Sequence, residues 1–441
     1  MELTVSAKYV IDKLKASGHK AYAVGGFVRN KLLNLPVLDV DVTTSATPDK
    51  IIEIFSQDKV YLTGLKHGTV TVNSFGENVE VTTFRLDGNY NDNRHPDIVE
   101  FVTSLESDLM RRDFTINAMA FDGYEVIDIF GGRADLENKI IRAVGDAEKR
   151  FKEDALRILR AMRFASVLDF EIEQNTAKAM INNAHLIKNV SIERVFIELD
   201  KMLQGVGVEK VLTSFKEVIF EVIPELKSLD GFEQNSKFHA YDVFVHTVKA
   251  VANSKADRSV RWALLFHDIA KPECYSEDEF KVGHFYGHQR KSAEISVNIL
   301  KRLKADNKLI SDCYNLILLH DYKTELSRGE IKKLLNSYGV YLIERLVEVK
   351  FGDAYSHAQP YADIRRQMII EFHDKVKNII DNRECFTLKL LKINGNDLKS
   401  VGFKGVEIKK ALNYLLNLVM FDEIENEREV LLERVKNERF N

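Results

Sequence analysis

Hydrophobic and polar positions along the chain switch between a helical and an extended period, and the switches predict the elements of the first half. MELTVSAKYVIDKLKASGHK reads as an amphipathic helix with charges throughout. The apolar run Ala21 to Val24 ends in Gly25-Gly26 and passes into a helical segment carrying Arg29, which predicts strand, tight turn and helix. In LDVDVTT the period is two, so Asp39 and Asp41 share one face of a strand while Val40 and Val42 face the core. TPDKIIEIF predicts a helix with Thr47 as N-cap and Pro48 at its first position. Strands are expected at Gly68 to Phe75 and Val79 to Arg85, and the polar stretch 86–97 is expected to be a loop. Arg111, Arg112 and Asp113 then fall inside a helical pattern with Phe114, Ile116 and Met119. RFKEDALRILRAMRFASVLDF predicts one helix, with Ala155, Ile158, Leu159 and Met162 on its apolar face and Asp154, Arg157, Arg160 and Arg163 three apart. From there the pattern stays helical.

Composition narrows this picture. With 441 residues, about three domains are expected at roughly 150 residues each. Hydrophobic content of 45% provides for a sizeable core. No apolar run is long enough to span a bilayer and the N-terminus has no signal-like apolar core, which points to a cytoplasmic protein without a membrane partner. Cys274, Cys313 and Cys385 are isolated, which argues against a disulfide framework or a thiolate zinc site. The net charge of −4 means that a nucleic-acid partner must be met by local basic patches.

The candidate chemistry concentrates in the first half. A glycine turn opening a helix suits phosphate, because the backbone comes close and its free N–H groups point at the anion; Arg29 adds a guanidinium. Asp39 and Asp41 repel one another unless a cation joins them, and hard oxygen ligands suit Mg²⁺. Glu80 is a candidate third carboxylate for a two-metal nucleotidyl-transfer site. Beside a triphosphate, Arg112 and Asp113 read as contacts to phosphate and ribose hydroxyls. Asp154 and Arg157, one helical turn apart, offer an acceptor beside a fork of donors, which matches the pairing edges of cytosine and adenine and opposes those of uracil and guanine. A plain i,i+3 ion pair is the alternative. In the second half, His246, His267-Asp268, His284, His288 and His320-Asp321 come from successive helical segments and make a divalent-metal site plausible.

GGFVRN, DVDVTT, RRDFTINAMA, DIFGGRADL, EDALRILRAMRF and SIERVFIEL, in this order, resemble the class II tRNA nucleotidyltransferase and bacterial poly(A) polymerase family over roughly residues 1–230. The resemblance implies an α+β fold: a nucleotidyltransferase head with a mixed sheet and helices (1–140), a helical neck (141–230), then all-α regions (231–350 and 351–441). It implies that Gly25, Gly26 and Arg29 bind triphosphate, that Asp39 and Asp41 hold Mg²⁺ with Glu80 as their catalytic companion, and that Arg112 and Asp113 reach the ribose. Asp154 and Arg157 would act as a protein template, with Arg160 and Arg163 completing the nucleotide pocket. The family pattern GGxVRD is broken by Asn30, so no role that needs a carboxylate is expected there. YLTGLKHGTVTV is similar to the CCA-adding form, and the full-length loop from Arg85 to Pro96 favours an enzyme that adds C and then A to tRNA from CTP and ATP. A-only addition, poly(A) synthesis and an RNA-binding protein with a silent site are the alternatives. The second half resembles an HD domain, implying His246, His267, Asp268 and Asp321 as ligands of a second divalent metal and either a phosphohydrolase activity on tRNA 3′ ends or a degenerate module retained for packing or RNA binding. Lys392, Lys399, Lys404, Lys409 and Lys410 are candidates to track tRNA phosphates in the tail. The oligomeric state, monomer or dimer, is left open.

Overall fold

The computed structural model describes residues 1–37, 39–87, 99–238, 240–436 and 438. They fall into two compact units, Met1–Pro224 and Glu225–Asn441.

The first unit is built on a seven-stranded mixed sheet in the order β3-β4-β5-β2-β1-β8-β9. Its strands are β1 (Ala21–Val24), β2 (Asp41–Thr44), β3 (Lys59–Tyr61), β4 (Thr69–Ser74), β5 (Glu77–Thr83), β8 (Met119–Phe121) and β9 (Val126–Asp128). The short pair β6 (Arg85–Asp87) and β7 (Val99–Phe101) stands outside it, and the loop expected between Arg85 and Pro96 lies almost wholly outside the described residues. The period-two reading of LDVDVTT holds at the burial level, with Asp39 and Asp41 exposed and Val40 and Val42 buried, although the strand itself starts only at Asp41. β2 runs antiparallel to β1 and parallel to β5, and this register sets Asp41 beside Glu80. Val24, Leu109, Ala118, Ala120 and Val144 form an apolar cluster around the strand that delivers the glycine turn.

The helices of this unit are α1 (Val5–Ala16), α2 (Gly26–Leu32), α3 (Pro48–Ile54), α4 (Leu105–Met110), α5 (Gly132–Glu137), α6 (Ala147–Glu153), α7 (Leu156–Leu168), α8 (Gln174–Asn183), α9 (Ile192–Leu203), α10 (Val208–Ser214) and α11 (Lys216–Val222). One expectation holds in position and two change. Thr47 does stand at the N-cap of α3, but its side chain makes no capping hydrogen bond. The Arg-Arg-Asp stretch is not one helix: α4 stops at Met110, Thr115–Asn117 is a single 3₁₀ turn, and Met119 enters β8. The long helix expected across 150–170 is two helices, because Asp154 takes an extended conformation (φ −141°, ψ 102°) between α6 and α7.

Among its described residues the second unit has one two-stranded pair, β12 (Ser276–Glu277) and β13 (Gly283–His284), and is otherwise built of helices; the parallel pair β10 (Ile140–Ile141) and β11 (Glu171–Ile172) belongs to the first. Its helices are α12 (Val243–Ala252), α13 (Arg258–Phe266), α14 (His288–Arg302), α15 (Asn307–Leu319), α16 (Arg328–Tyr355), α17 (Tyr361–Asp381), α18 (Gly395–Ser400), α19 (Val406–Met420) and α20 (Arg428–Lys436). α16 breaks at Gly339, where φ is 77°. Near its end Gly352 lets it press against α12 and α13: a Cβ there would sit 2.7 Å from the Ala250 carbonyl and from Leu264 Cδ1. That approach brings Asp353 to the histidines of α12 and α13. No described helix is long and apolar enough to cross a membrane.

Candidate functional sites

The first site lies where β1, β2 and β5 meet the start of α2. Gly25 has φ +68°, and a Cβ on it would lie 3.2 Å from Arg112 Nη1, so a glycine serves both the turn and the close approach of that guanidinium. Asp41 still meets solvent, yet loss of water to the surrounding protein raises its pKa; Arg112 pulls it back and Asp39 pushes it up again. Glu80 is raised likewise, first by burial and then by Asp41 and Asp39. The three carboxylates therefore feel one another's charge, which is the electrostatic condition a cation relieves. They do not close into a tight ligand cage: among the described residues, the only groups of three whose ligand atoms all lie within 4.8 Å of one another are in the second unit.

Arginines on α2, just after α4 and on α7 gather here, each fixed by a carboxylate or by a side-chain amide oxygen. Asp108 holds Arg111 (Nη2 to Oδ1, 2.7 Å) and Arg112 (Nη2 to Oδ2, 3.2 Å). Arg29 donates to Asn117 Oδ1 at 2.6 Å and, through Nε and Nη2, to Asn30 Oδ1 at 3.0 and 2.8 Å. The break from GGxVRD is thereby explained locally: Asn30 orients Arg29 as a neutral acceptor while its amide donates to the Pro36 carbonyl. Burial lowers Arg29 to about 10, with Arg163 and Arg160 adding to the effect, which leaves it charged at neutral pH. Arg29, Arg160 and Arg163 gather over the Phe164 ring at 4.8, 5.5 and 4.2 Å.

Asp113 is buried and accepts from Arg160 Nε (2.9 Å) and Nη2 (2.6 Å) and from Asn117 (3.0 Å). Burial alone would raise its pKa; Arg160 and these hydrogen bonds more than offset that and bring it to about 2. Glu198, on α9, holds Arg163 at 2.8 Å and stands 4.0 Å from Arg160.

Asp154 and Arg157 do not pair with each other. Asp154 Oδ2 is met by Arg194 Nη2 at 3.1 Å, while Arg157 donates to Glu153 Oε2 at 2.9 Å and to the Arg111 carbonyl at 2.9 Å. The simple i,i+3 ion pair is therefore excluded, and each group is oriented from behind by a separate partner. Glu153, Arg194, Glu198, Asn117, Asn30 and Phe164 are the supporting residues that the sequence reading left without a role.

The second site is a buried cluster in the second unit. His246 comes from α12, His267 and His320 cap the C-terminal ends of α13 and α15, His288 opens α14 and Asp353 comes from α16. The Nδ1–H groups of His246, His267, His288 and His320 face the carbonyls of Ser356, Leu264, Phe285 and Ile317 at 3.3, 2.7, 2.7 and 2.7 Å. All four therefore turn Nε2 inwards, the arrangement that second-shell carbonyls impose on metal-binding imidazoles. His246 and His267 meet at 3.3 Å between Nε2 atoms, and so do His288 and His320. Two lone pairs at that separation require a proton or a cation between them.

Asp268 joins the two halves. Its Oδ2 lies 3.4 and 3.1 Å from Nε2 of His246 and His267, and its Oδ1 lies 3.2 and 3.8 Å from Nε2 of His288 and His320. Both oxygens are buried without a well-aligned hydrogen bond, although Lys271 Nζ is 2.7 Å from Oδ2. Asp353 Oδ1 completes the first half at 3.0 Å from His246 and 3.6 Å from His267. With protons alone the charges are forced apart: burial opposes a charge on His267, yet Asp268 and Asp353 raise it to about 10, while burial, His267 and His288 lower His320 to about 3. Inward lone pairs, orphaned carboxylate oxygens and mixed nitrogen and oxygen donors fit one or two transition-metal ions.

Two expected ligands are not brought in. Asp321 is exposed and accepts from Gln289 at 2.9 Å, and Asp353 occupies the place expected of it. His284 sits on β13 and pairs with Asp278 at 3.0 Å. The missed signal was the Asp353 and His357 pair, four apart near the end of α16, overlooked because no adjacent His-Asp marks it.

Three family models match the chain: a Poly A polymerase head domain over residues 21–142, a probable RNA and SrmB-binding site of polymerase A over 169–229, and an HD domain over 239–358. The CCA-adding enzyme of Ligilactobacillus salivarius is 36% identical over 438 residues, covering 97% of this chain and 95% of that one. The Geobacillus stearothermophilus CCA-adding enzyme is 36% identical over 426 residues, covering 95% and 93%. The crystal structure of the Bacillus stearothermophilus CCA-adding enzyme in complex with CTP superposes with a TM-score of 0.70 at 31% identity, covering 99% of this chain and 97% of that one.

Proposed function

The chain belongs to the family of CCA-adding enzymes, and on that premise we propose that it rebuilds the 3′ end of tRNA with C, C and A from CTP and ATP. Relatives named as CCA-adding enzymes along nearly the whole chain favour this over A-only addition, poly(A) synthesis or a silent RNA-binding protein. The observation that carries the reading is the likeness to CCA-adding enzymes along nearly the whole chain; within it Asp154, held by Arg194, and Arg157, held by Glu153 and by the Arg150 and Arg111 carbonyls, are the pair assigned to the base.

In this reading Gly25 and Gly26 let the triphosphate approach the start of α2, and Arg29 and Arg112 meet its oxygens. Mg²⁺ held by Asp39, Asp41 and Glu80 supplies Lewis-acid activation when bound. Asp113 holds Arg160 in place, and Glu198 holds Arg163, under the nucleotide. Asp154 accepts the exocyclic amino group of cytosine or adenine while Arg157 donates to the ring nitrogen; uracil or guanine would set a carbonyl oxygen against the carboxylate. The division into head (1–140), neck (141–230), HD region (231–350) and tail (351–441) belongs to the same proposal.

The test is incorporation of labelled CTP and ATP onto tRNA ending at the discriminator base, at −C and at −CC, with generic RNA as control. Two C additions and one A, restricted to tRNA, are expected. A addition to −CC alone, or long A tails on generic RNA, would overturn the assignment.

The cluster around Asp268 supports a second activity, hydrolysis of phosphoesters at the HD centre. His246, His267, Asp268 and Asp353 would hold one ion and Asp268, His288 and His320 a second; such ions supply an activated water when bound. Lys271 and Arg365, beside Asp268 and Asp353, are the cations available to a phosphoryl group there.

A further inference from the structure

Two cavities of about 260 and 320 Å³ are lined by largely different residues yet share four: His320 and Asp353 of the cluster, and Asp321 and Arg365 beside it. The smaller continues towards Tyr322, Met368 and Ile369, and the larger towards Phe238, His284 and Tyr286. His284 and Tyr286 stack at 7° with ring centroids 5.3 Å apart, and Tyr286 is 79% exposed, so the larger cavity has a flat aromatic wall. Arg365 belongs to both cavities. Its Nη1 is 3.4 Å from Asp353 Oδ2, on the oxygen that does not face His246, and 41% of its side chain is exposed. It sits on α17, beyond the residues that match the HD model.

A phosphoryl group placed over the cluster therefore has a cation beside it and room on two sides. From this geometry we propose that the HD centre takes a linear phosphodiester, with the phosphate against Arg365 and one substituent in each cavity. The proposal rests on the hydrolase reading above and names its substrate class. Each cavity is at the small end of the range for organic ligands and suits one sugar or base rather than a large group. A monoester would leave one cavity empty, and so would a 2′,3′-cyclic phosphate, whose two ester oxygens belong to one ribose. Chemically, water adds its oxygen to phosphorus, the bond from phosphorus to one arm breaks, and that arm leaves as an alcohol carrying a proton from the water. The other arm remains as a monoester.

The experiment compares Mn²⁺-loaded wild type, Arg365→Ala and Arg365→Lys on bis(p-nitrophenyl) phosphate, p-nitrophenyl phosphate and cytidine 2′,3′-cyclic phosphate. Calorimetry reads affinity separately, with the slowly cleaved phosphorothioate of the dinucleotide TpT. Wild type is expected to prefer the linear diester in kcat/KM. Arg365→Ala should weaken TpT phosphorothioate binding and diester kcat/KM about tenfold, the loss of one charged hydrogen bond, with partial rescue by lysine. Preference for the monoester or cyclic ester, or TpT affinity unchanged by Arg365→Ala, overturns the proposal alone. No hydrolysis of any ester with Mn²⁺, Ni²⁺ or Zn²⁺ overturns the hydrolase reading and this proposal with it.

Discussion

If Asp154 reads the base only because Arg194 holds it, removing Arg194 must damage selection more than catalysis. The Arg194–Asp154 contact is 3.1 Å long, with side chains 30% and 18% exposed. A charge-assisted hydrogen bond contributes about 1.5–3 kcal/mol when buried, and partial exposure brings this one towards about 1 kcal/mol. Arg194→Ala should therefore lower discrimination between CTP and UTP about fivefold, read as the ratio of their kcat/KM values on tRNA ending at the discriminator base. Asp154→Ala removes the acceptor itself and should cost about 1–3 kcal/mol of discrimination. Because one residue acts through the other, the double variant should discriminate no worse than Asp154→Ala, and the cycle should return a coupling close to the whole Arg194 effect. What would refute this reading is an Arg194→Ala enzyme that is slow with an unchanged CTP to UTP ratio, or losses that simply add.

Asp113 carries a pH dependence with a defined sign. Its folded pKa, about 2, lies below its ordinary 3.8, so its contribution to stability is complete above about pH 4 and disappears as pH falls through about 2. The shift corresponds to about 2 kcal/mol, and urea unfolding between pH 4 and 2 should show a slope in wild type that Asp113→Asn reduces by that amount. For the second unit, adding Mn²⁺ or Zn²⁺ should raise the melting temperature, with about 3 kcal/mol of stabilisation at a hundredfold excess over Kd. His267→Ala and Asp353→Ala should abolish that response and Asp321→Ala should retain it; the reverse order for the two aspartates would reject the ligand set proposed above.

Patterns that are local in sequence carried over into the structure, and patterns that depend on a partner from elsewhere did not. The alternation in LDVDVTT predicts which side of the strand Asp39 and Asp41 occupy, because side-chain direction follows from backbone period alone. The long helix expected across 150–170 breaks at Asp154, whose Oδ1 accepts from the Leu156 N–H at the start of α7 while its Oδ2 meets Arg194, forty residues on, a partner that no periodicity contains. The same holds for Asp353, whose role is set by the approach of α16 at Gly352 rather than by its own neighbours in sequence. Glu80 is the intermediate case, a carboxylate visible in a strand pattern but placed beside Asp41 only by a parallel register between strands far apart in the chain.

The two sites solve opposite electrostatic problems, and this decides what each can tolerate. In the first unit every buried charge has a protein partner: Asp113 with Arg160, Asp108 with Arg111 and Arg112, Glu198 with Arg163. The groups left facing outward, Asp39, Asp41 and Glu80, are those whose repulsion a substrate-borne cation would relieve. Such a frame can stand without its ligands. In the second unit the unresolved charges are inside: two pairs of Nε2 atoms 3.3 Å apart face Asp268, whose Oδ2 has Lys271 at 2.7 Å while its Oδ1 faces the imidazoles of His288 and His320. Chelation should therefore leave triphosphate binding by the first site in place once Mg²⁺ is restored. It should lower the unfolding temperature of the second site's helices, because there the ion replaces protons that must otherwise be held at an energetic cost.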